Sequence, residues 1–422
     1  MLSLNARSYS LFTDKDMLVW DLKHTAGWML LIALSSYGQT SSPPLDLQTA
    51  LEMARNSNLE LRAARQQRAV TLAGIRIAGQ FQNPSVSFGA LRDVPHESLV
   101  WDQPIELGKR GKRIGVAREE QKATDIDIAV VERQIRHRTR DAFYKAVLAR
   151  ADVEETKSAL DLSTRIRDAV QTRYDAGDVA QLEVIQAEVE LARATTDYQV
   201  TLQSQKVADV ELAVLLNQPL ESAFELRGRI DELPNVAGLP VITEMALRLN
   251  SNVQSTAQQY AIEEKRLQLA KASRIPNLDL QAGLDFNSPP DFNVGPRGQI
   301  GVSLPLFNHG QGEIAQSTAR LELLRFSMQA QKTSTEAQVF AAYYDYQAKL
   351  RLASDYSKTI VPQTVRLEQM AEESYRAGKS NLLTLIDAQR RLNETRRAYL
   401  ISLFSVQSAF SALEEVVGAP LD

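Results

Sequence analysis

The chain repeats itself. Residues 101–220 and 302–421 align without a gap at a constant offset of 201. Pro104 falls on Pro305, Tyr174-Asp175-Ala176-Gly177 on Tyr375-Arg376-Ala377-Gly378, Leu191 on Leu392, and Asn217-Gln218-Pro219-Leu220 on Gly418-Ala419-Pro420-Leu421. Upstream the match continues with small gaps: Asn56-Ser57-Asn58 aligns with Asn250-Ser251-Asn252, and Pro84 with Pro276. Two copies of so long a unit mean one architecture used twice and related by pseudo-symmetry, which excludes most enzyme folds.

Composition narrows the class further. Long stretches are dominated by Ala, Gln, Glu, Arg and Leu, the usage of long helices. A net charge of −4 advertises no nucleic-acid surface. The absence of cysteine excludes disulfides, thiolate metal sites and a thiol nucleophile. No phosphate loop, zinc-protease or nucleophile-elbow motif is present. His96, His137 and His309 are scattered along the chain. No catalytic residue, cofactor or dedicated metal site is therefore expected.

The run Ala26–Leu34 is too short to span a bilayer but suits the core of a signal peptide, with Lys23 before it and Ser36-Tyr37-Gly38 after it. Residues 1–38 read as signal peptide and N-terminal extension. If the mature chain enters a membrane, it must do so as a barrel.

Each repeat, 45–220 and 240–421, reads as helix, two strands, long helix, tight turn and returning helix. The first helix runs from Leu47 to Gly79 on an apolar stripe at three- and four-residue steps. The period then falls to two. Strands are expected within 84–106 and 276–307, around a Pro/Gly/Asn-rich tip from Asn287 to Gly298 in the second repeat. Leu278, Leu280, Leu284, Ile300, Val302 and Leu304, with Trp101 in the first repeat, form faces that alternate with small or polar residues. This suits a membrane barrel with a wet lumen, and equally a hairpin lying on a helical core. Four strands cannot close a barrel, so the first reading needs several copies.

Helical hairpins follow at 110–216 and 311–417. From Arg110 to Tyr174 there is no proline, which gives about 95 Å of helix. The matching stretch is interrupted only by Pro362. Leu385, Leu392, Tyr399, Val406 and Leu413 recur every seven residues, the mark of coiled-coil packing between the arms. The basic run Gly108–Arg113 reads as a solvated face or, if the strands enter a membrane, as a group that meets lipid phosphates or caps the joint between strands and helix. Gly177 and Gly378 end their helices as left-handed turns, and with Asp178 and Lys379 they are candidate docking tips. Glu183, Thr384 and Asp387 lie just beyond. A carboxylate there reads as surface solvation, or as a ring when symmetry repeats it about an axis.

The twofold helix–hairpin–long-helix order with Tyr-x-Ala-Gly turns resembles the TolC-like outer-membrane efflux family over residues 45–421. Gln103–Arg110 is most similar to the branch that serves heavy-metal cation exporters of the cobalt–zinc–cadmium type. The resemblance implies a mainly α protein with a small β part: long hairpins forming a periplasmic tube below a twelve-stranded outer-membrane barrel made by a homotrimer. It implies three kinds of partner: a periplasmic adaptor (membrane fusion) protein, an inner-membrane pump of the resistance–nodulation–division type, and outer-membrane lipid. It places a gate at Asp387 and Thr384, where relatives carry two aspartates, and a Tyr375–Glu183 bond that holds the tip shut. Drug efflux, type I protein secretion and a non-channel coiled-coil role are the competing readings.

Overall fold

The computed structural model describes residues 44–222, 224–288 and 290–421, so the expected signal segment 1–38 lies outside the described residues. The first repeat comprises α1 (Leu47–Ser57), α2 (Leu59–Ala78), β1 (Ser85–Ala90), β2 (Glu97–Ile105), α3 (Lys109–Asp175) and α4 (Gln181–Leu216). The second comprises α5 (Leu239–Leu249), α6 (Ser251–Ala272), β3 (Leu278–Ser288), β4 (Phe292–Val302), α7 (Gln311–Asp355), α8 (Val361–Arg376) and α9 (Leu382–Val417). The protein is mainly α, with one four-stranded sheet.

The expected single helix 47–79 is two. Asn58 leaves the helical backbone and caps α2 by accepting from the Leu61 amide, while its Nδ2 donates to the Leu215 carbonyl at 3.0 Å. Asn250 does the same for α6, donating to the Val416 carbonyl at 2.7 Å. A side chain that both caps a helix and satisfies a distant carbonyl outweighs two more residues of continuous helix. The pair also corrects the upstream alignment: Asn58, not Asn56, is the counterpart of Asn250. Both are nearly buried. Asn250→Ala is expected to cost about 1–3 kcal/mol, from the lost cap and the stranded carbonyl. Thermal unfolding followed by circular dichroism checks this; an unchanged midpoint would show that the bonds do not stabilise the fold.

α3 is continuous over 67 residues. Its counterpart is not: a π-helical turn at Tyr356–Ile360 separates α7 from α8 directly before Pro362. Proline has no amide to donate and crowds the preceding turn, and a π-turn absorbs both effects without ending the helix.

The main core lies where α1, α3, α4, α7 and α9 meet, around Phe143, Leu212, Leu216, Tyr346 and Phe410. The Tyr346 hydroxyl donates to the Pro234 carbonyl, and Gln407 Nε2 donates to the Glu232 carbonyl at 2.8 Å, so the connection between the repeats is pinned to this core. The seven-residue series on α9 is buried at Leu385, Leu392, Val406 and Leu413. By length and composition α9 suits a membrane span, but more than half of its most apolar stretch is buried inside the protein.

The sheet order is β1-β2-β3-β4, all antiparallel. The register sets Val86 opposite Trp101, Trp101 opposite Ala282, Leu99 opposite Leu284, Leu280 opposite Ile300 and Leu278 opposite Val302. Because side chains alternate, these residues share one apolar face, while Asp102, Asp279, Gln281, Asp285 and Gln299 share the other. Val86, Phe88 and Ile300 are exposed, so the sheet is not a hairpin laid on a helical core. Two sequence expectations are corrected here. β4 begins at Phe292, which leaves a tip far shorter than Asn287–Gly298. Pro296 and the nearby glycines had suggested a loop, but an open edge strand tolerates them. Leu304 lies beyond the last residue of β4, because β3 starts at Leu278, opposite Val302, and offers it no partner.

Candidate functional site

The hairpin tips are built the same way twice. α3 ends with Gly177 at φ +85°, and the Asp178 amide donates to the Arg173 carbonyl at 2.8 Å. α8 ends with Gly378 at φ +67°, and the Lys379 amide donates to the Ser374 carbonyl at 2.9 Å. These bonds reach back five residues and close the helix ends, as a left-handed glycine allows. Gly177, Asp178, Gly378 and Lys379 are exposed, and a methyl group added at either glycine meets nothing within 4 Å.

Behind the turns, Val170, Val184, Ala187, Leu382 and Ile386 form a small buried cluster that joins the two tips. Tyr375 packs on it and on the neighbouring cluster of Ala371, Leu385 and Ala388. Its hydroxyl donates to Glu183 Oε2 at 3.3 Å, and the Arg173 guanidinium lies 5.4 Å from the ring centre. Burial, and then the Glu183 charge, push the phenol above its ordinary pKa. The structure thus brings together the expected Tyr375 and Glu183.

Thr384 and Asp387 are both exposed, one turn apart on α9. The Thr384 amide and hydroxyl both donate to Asn381 Oδ1, at 3.0 and 2.9 Å, so this residue serves the cap of α9. Asp387 sits beside Arg390, whose Nε and Nη2 both donate to Glu190 Oε2 on α4. The hydrogen bond to Glu190, and then the surrounding carboxylates, hold the Arg390 guanidinium firmly protonated. Farther from the tip, Arg396 meets Glu155 at 3.3 Å and Arg397 meets Asp152 at 2.7 Å. Sequence reasoning missed these links. Each partner is an ordinary helix-surface charge, and only the packing of α9 against the first hairpin reveals the pairing.

In the basic run at the joint, Lys109, Arg110 and Arg113 are tied into the structure, while Lys112 is exposed. Lys109 Nζ reaches Asn277 Oδ1 at 2.6 Å, and Arg110 Nε donates to the Gly79 carbonyl while its guanidinium lies 4.3 Å from the Phe81 ring centre. Arg113 binds Glu106 and the Ala78 and Gln80 carbonyls. Arg110 and Arg113 therefore satisfy the orphan carbonyls at the end of α2, where chain direction changes from helix to strand. Among the described residues, no group of three His, Asp or Glu side chains is placed to hold a metal ion.

A bare sheet with one apolar and one polar face, continued by paired helical hairpins, defines a membrane channel built from strands and helices. The chain belongs to the outer membrane efflux protein family, which matches residues 50–218 and 242–419. It is an efflux channel protein of the outer membrane. It is 23% identical over 386 residues to the cobalt-zinc-cadmium resistance protein CzcC of Cupriavidus metallidurans, covering 90% of this chain and 92% of that one. It is 27% identical over 347 residues to the pyoverdine export outer membrane protein OpmQ of Pseudomonas aeruginosa, covering 79% and 69%. Its fold matches that of CusC with a TM-score of 0.73 at 16% identity, over 94% of this chain and 96% of that one. The outer-membrane channel OprN gives 0.72 at 18% identity, over 89% and 90%.

Proposed function

We propose that three copies of this chain close one barrel in the outer membrane, with their hairpins forming a periplasmic tube. The tube receives cargo from a proton-driven inner-membrane pump of the resistance–nodulation–division type through a periplasmic adaptor. The carrying observation is the sheet: one face apolar and bare, one face polar, and both edges open. Such a sheet is complete only when its edges are paired and its apolar face meets lipid. Heavy-metal cations are the cargo that this reading favours, supported by similarity to CzcC along nearly the whole chain. Similarity to OpmQ favours a second reading, a conduit for pyoverdine export. Deleting the gene separates them. Sensitivity to zinc, cadmium and cobalt on deletion, reversed by the cloned chain, supports cation export; normal metal tolerance with lost pyoverdine export overturns it.

The hairpin tips meet the adaptor in this reading. Gly378→Val forces a β-branched residue into a left-handed turn, at about 1–2 kcal/mol, at a site where an added Cβ meets nothing within 4 Å. It is expected to abolish export and crosslinking of Lys379 to the adaptor while leaving the trimer intact. Gly378→Asn, which tolerates that turn, is expected to retain both. Equal behaviour of the two variants would remove the tip from the docking surface.

Asp387, repeated three times about the axis, is the proposed charge at the closed mouth, with Thr384 contributing no charge one turn away. Like carboxylates brought together attract cations. Asp387→Asn is expected to weaken cation selectivity and block by trivalent ions in planar bilayers. Unchanged selectivity would place the constriction elsewhere.

A further inference from the structure

The sheet ends in two open edges, β1 and β4. We propose that β4 of one copy pairs antiparallel with β1 of the next copy with Leu304 opposite Phe88, and that Ser303–Leu306 become strand only there. The proposal rests on the trimeric-barrel reading and adds to it the identity of the paired residues.

The argument uses the internal repeat as a ruler. Asn250 follows Asn58 by 192 residues, and Pro276 follows Pro84 by the same distance, so this offset applies before and into the first strand of each repeat. Pro305 follows Pro104 by 201, the offset for the second strand. The two offsets are checked inside the protein. They carry Val86 opposite Trp101 onto Leu278 opposite Val302, and Phe88 opposite Leu99 onto Leu280 opposite Ile300, and both target pairs are present.

The β2–β3 seam is where the first repeat meets the second. Moving it by the same offsets generates the seam between copies. Gln103 opposite Leu280 becomes Leu304 opposite Phe88 of the next copy, and Ile105 opposite Leu278 becomes Leu306 opposite Val86 of the next copy.

Three features of the single chain fit this seam. Leu304, Leu306, Val86 and Phe88 are exposed at 64%, 74%, 68% and 66%, and the only backbone bond across 304–306 in the described chain is a local one from the Leu306 amide to the Leu304 carbonyl at 2.9 Å, which the seam replaces. The pairing sets apolar residues on the apolar face of both strands, whereas a slip of one residue would point one set into the lumen. Pro305 is no obstacle, because its counterpart Pro104 sits within β2 opposite Asp279. The seam also explains why Leu304 reads as a strand residue in the sequence yet lies outside β4. Its hydrogen-bonding partner belongs to another molecule.

The absence of cysteine makes the test clean. Phe88→Cys with Leu304→Cys is compared with two slipped combinations, Phe88→Cys with Val302→Cys and Phe88→Cys with Leu306→Cys. Directly opposed Cβ atoms lie about 4.5–5.5 Å apart, close to disulfide reach, whereas diagonal neighbours two residues away lie at about 7–8 Å. Mild oxidation of detergent-solubilised protein, read on non-reducing gels, is expected to convert the opposed pair into covalent dimers and trimers. Both slipped pairs are expected to remain monomeric. Native electrophoresis of the reduced proteins confirms that each variant still assembles. A slipped pair that crosslinks better overturns the register, and intact trimers with no crosslink in any pair overturn the edge-to-edge seam. Unmutated protein that forms no trimer removes the barrel reading beneath both.

Discussion

Leu284→Arg is expected to abolish assembly of the outer-membrane form, while Gln281→Arg leaves it largely intact. The two residues are three apart on β3 and face opposite ways. Leu284 stands opposite Leu99 and Pro296, on the apolar face near mid-strand. Gln281 stands opposite Asp102 and Gln299 on the polar face. A lipid-facing Arg at the bilayer midplane costs about 2–4 kcal/mol, and a trimer carries that cost three times. Leu280→Arg, closer to the end of the strand, is expected to lie between them, because the penalty falls towards the interface. Heat-resistant trimer on gels of outer-membrane fractions reports the outcome. Equal yields from Leu284→Arg and Gln281→Arg would mean that neither face meets lipid.

Glu190→Gln combined with Tyr375→Phe is expected to open the resting tube, with a larger single-channel conductance than either change alone. The Tyr375–Glu183 bond is long at 3.3 Å, whereas Arg390 directs two N–H groups at one oxygen of a Glu190 side chain that is only 18% exposed. Both links are hydrogen bonds to a charged group, about 1.5–3 kcal/mol each, and Arg390 makes two where Tyr375 makes one. The Arg390–Glu190 link is therefore expected to hold the tip more firmly than the tyrosine does. Raised salt is expected to ease opening in the parent protein and to matter less once Glu190 is neutral. Conductance in planar bilayers that stays at the parent value in the double variant would show that these links do not restrain the tip.

The links differ in how visible they are in the sequence. Tyr375 and Glu183 stand beside the Ala-Gly turns, and their pairing is what the resemblance to the efflux family implies. Glu190 and Arg390 carry no such mark. They lie 200 residues apart, on helices whose relative rotation follows from packing around the tip clusters. The basic run Gly108–Arg113 is ambiguous for a related reason. Its composition fits solvent, and its true partners are backbone carbonyls at the end of α2, which no residue type announces.

Periodicity and duplication fixed what is local or repeated. The change from a period near four to a period of two located the strands, the absence of proline set the length of α3, and the seven-residue series marked the buried face of α9. These features follow from the backbone geometry of single elements, so the order of residues suffices to state them. The tertiary structure decided the break at Asn58, the true start and end of β4, the π-turn before Pro362 and the charge pairs along α9. Each depends on a partner distant in sequence or on a competition between local bonds. A hydrogen bond from Asn58 to the Leu215 carbonyl, or the absence of any strand beside Leu304, exists only once the chain has folded around it.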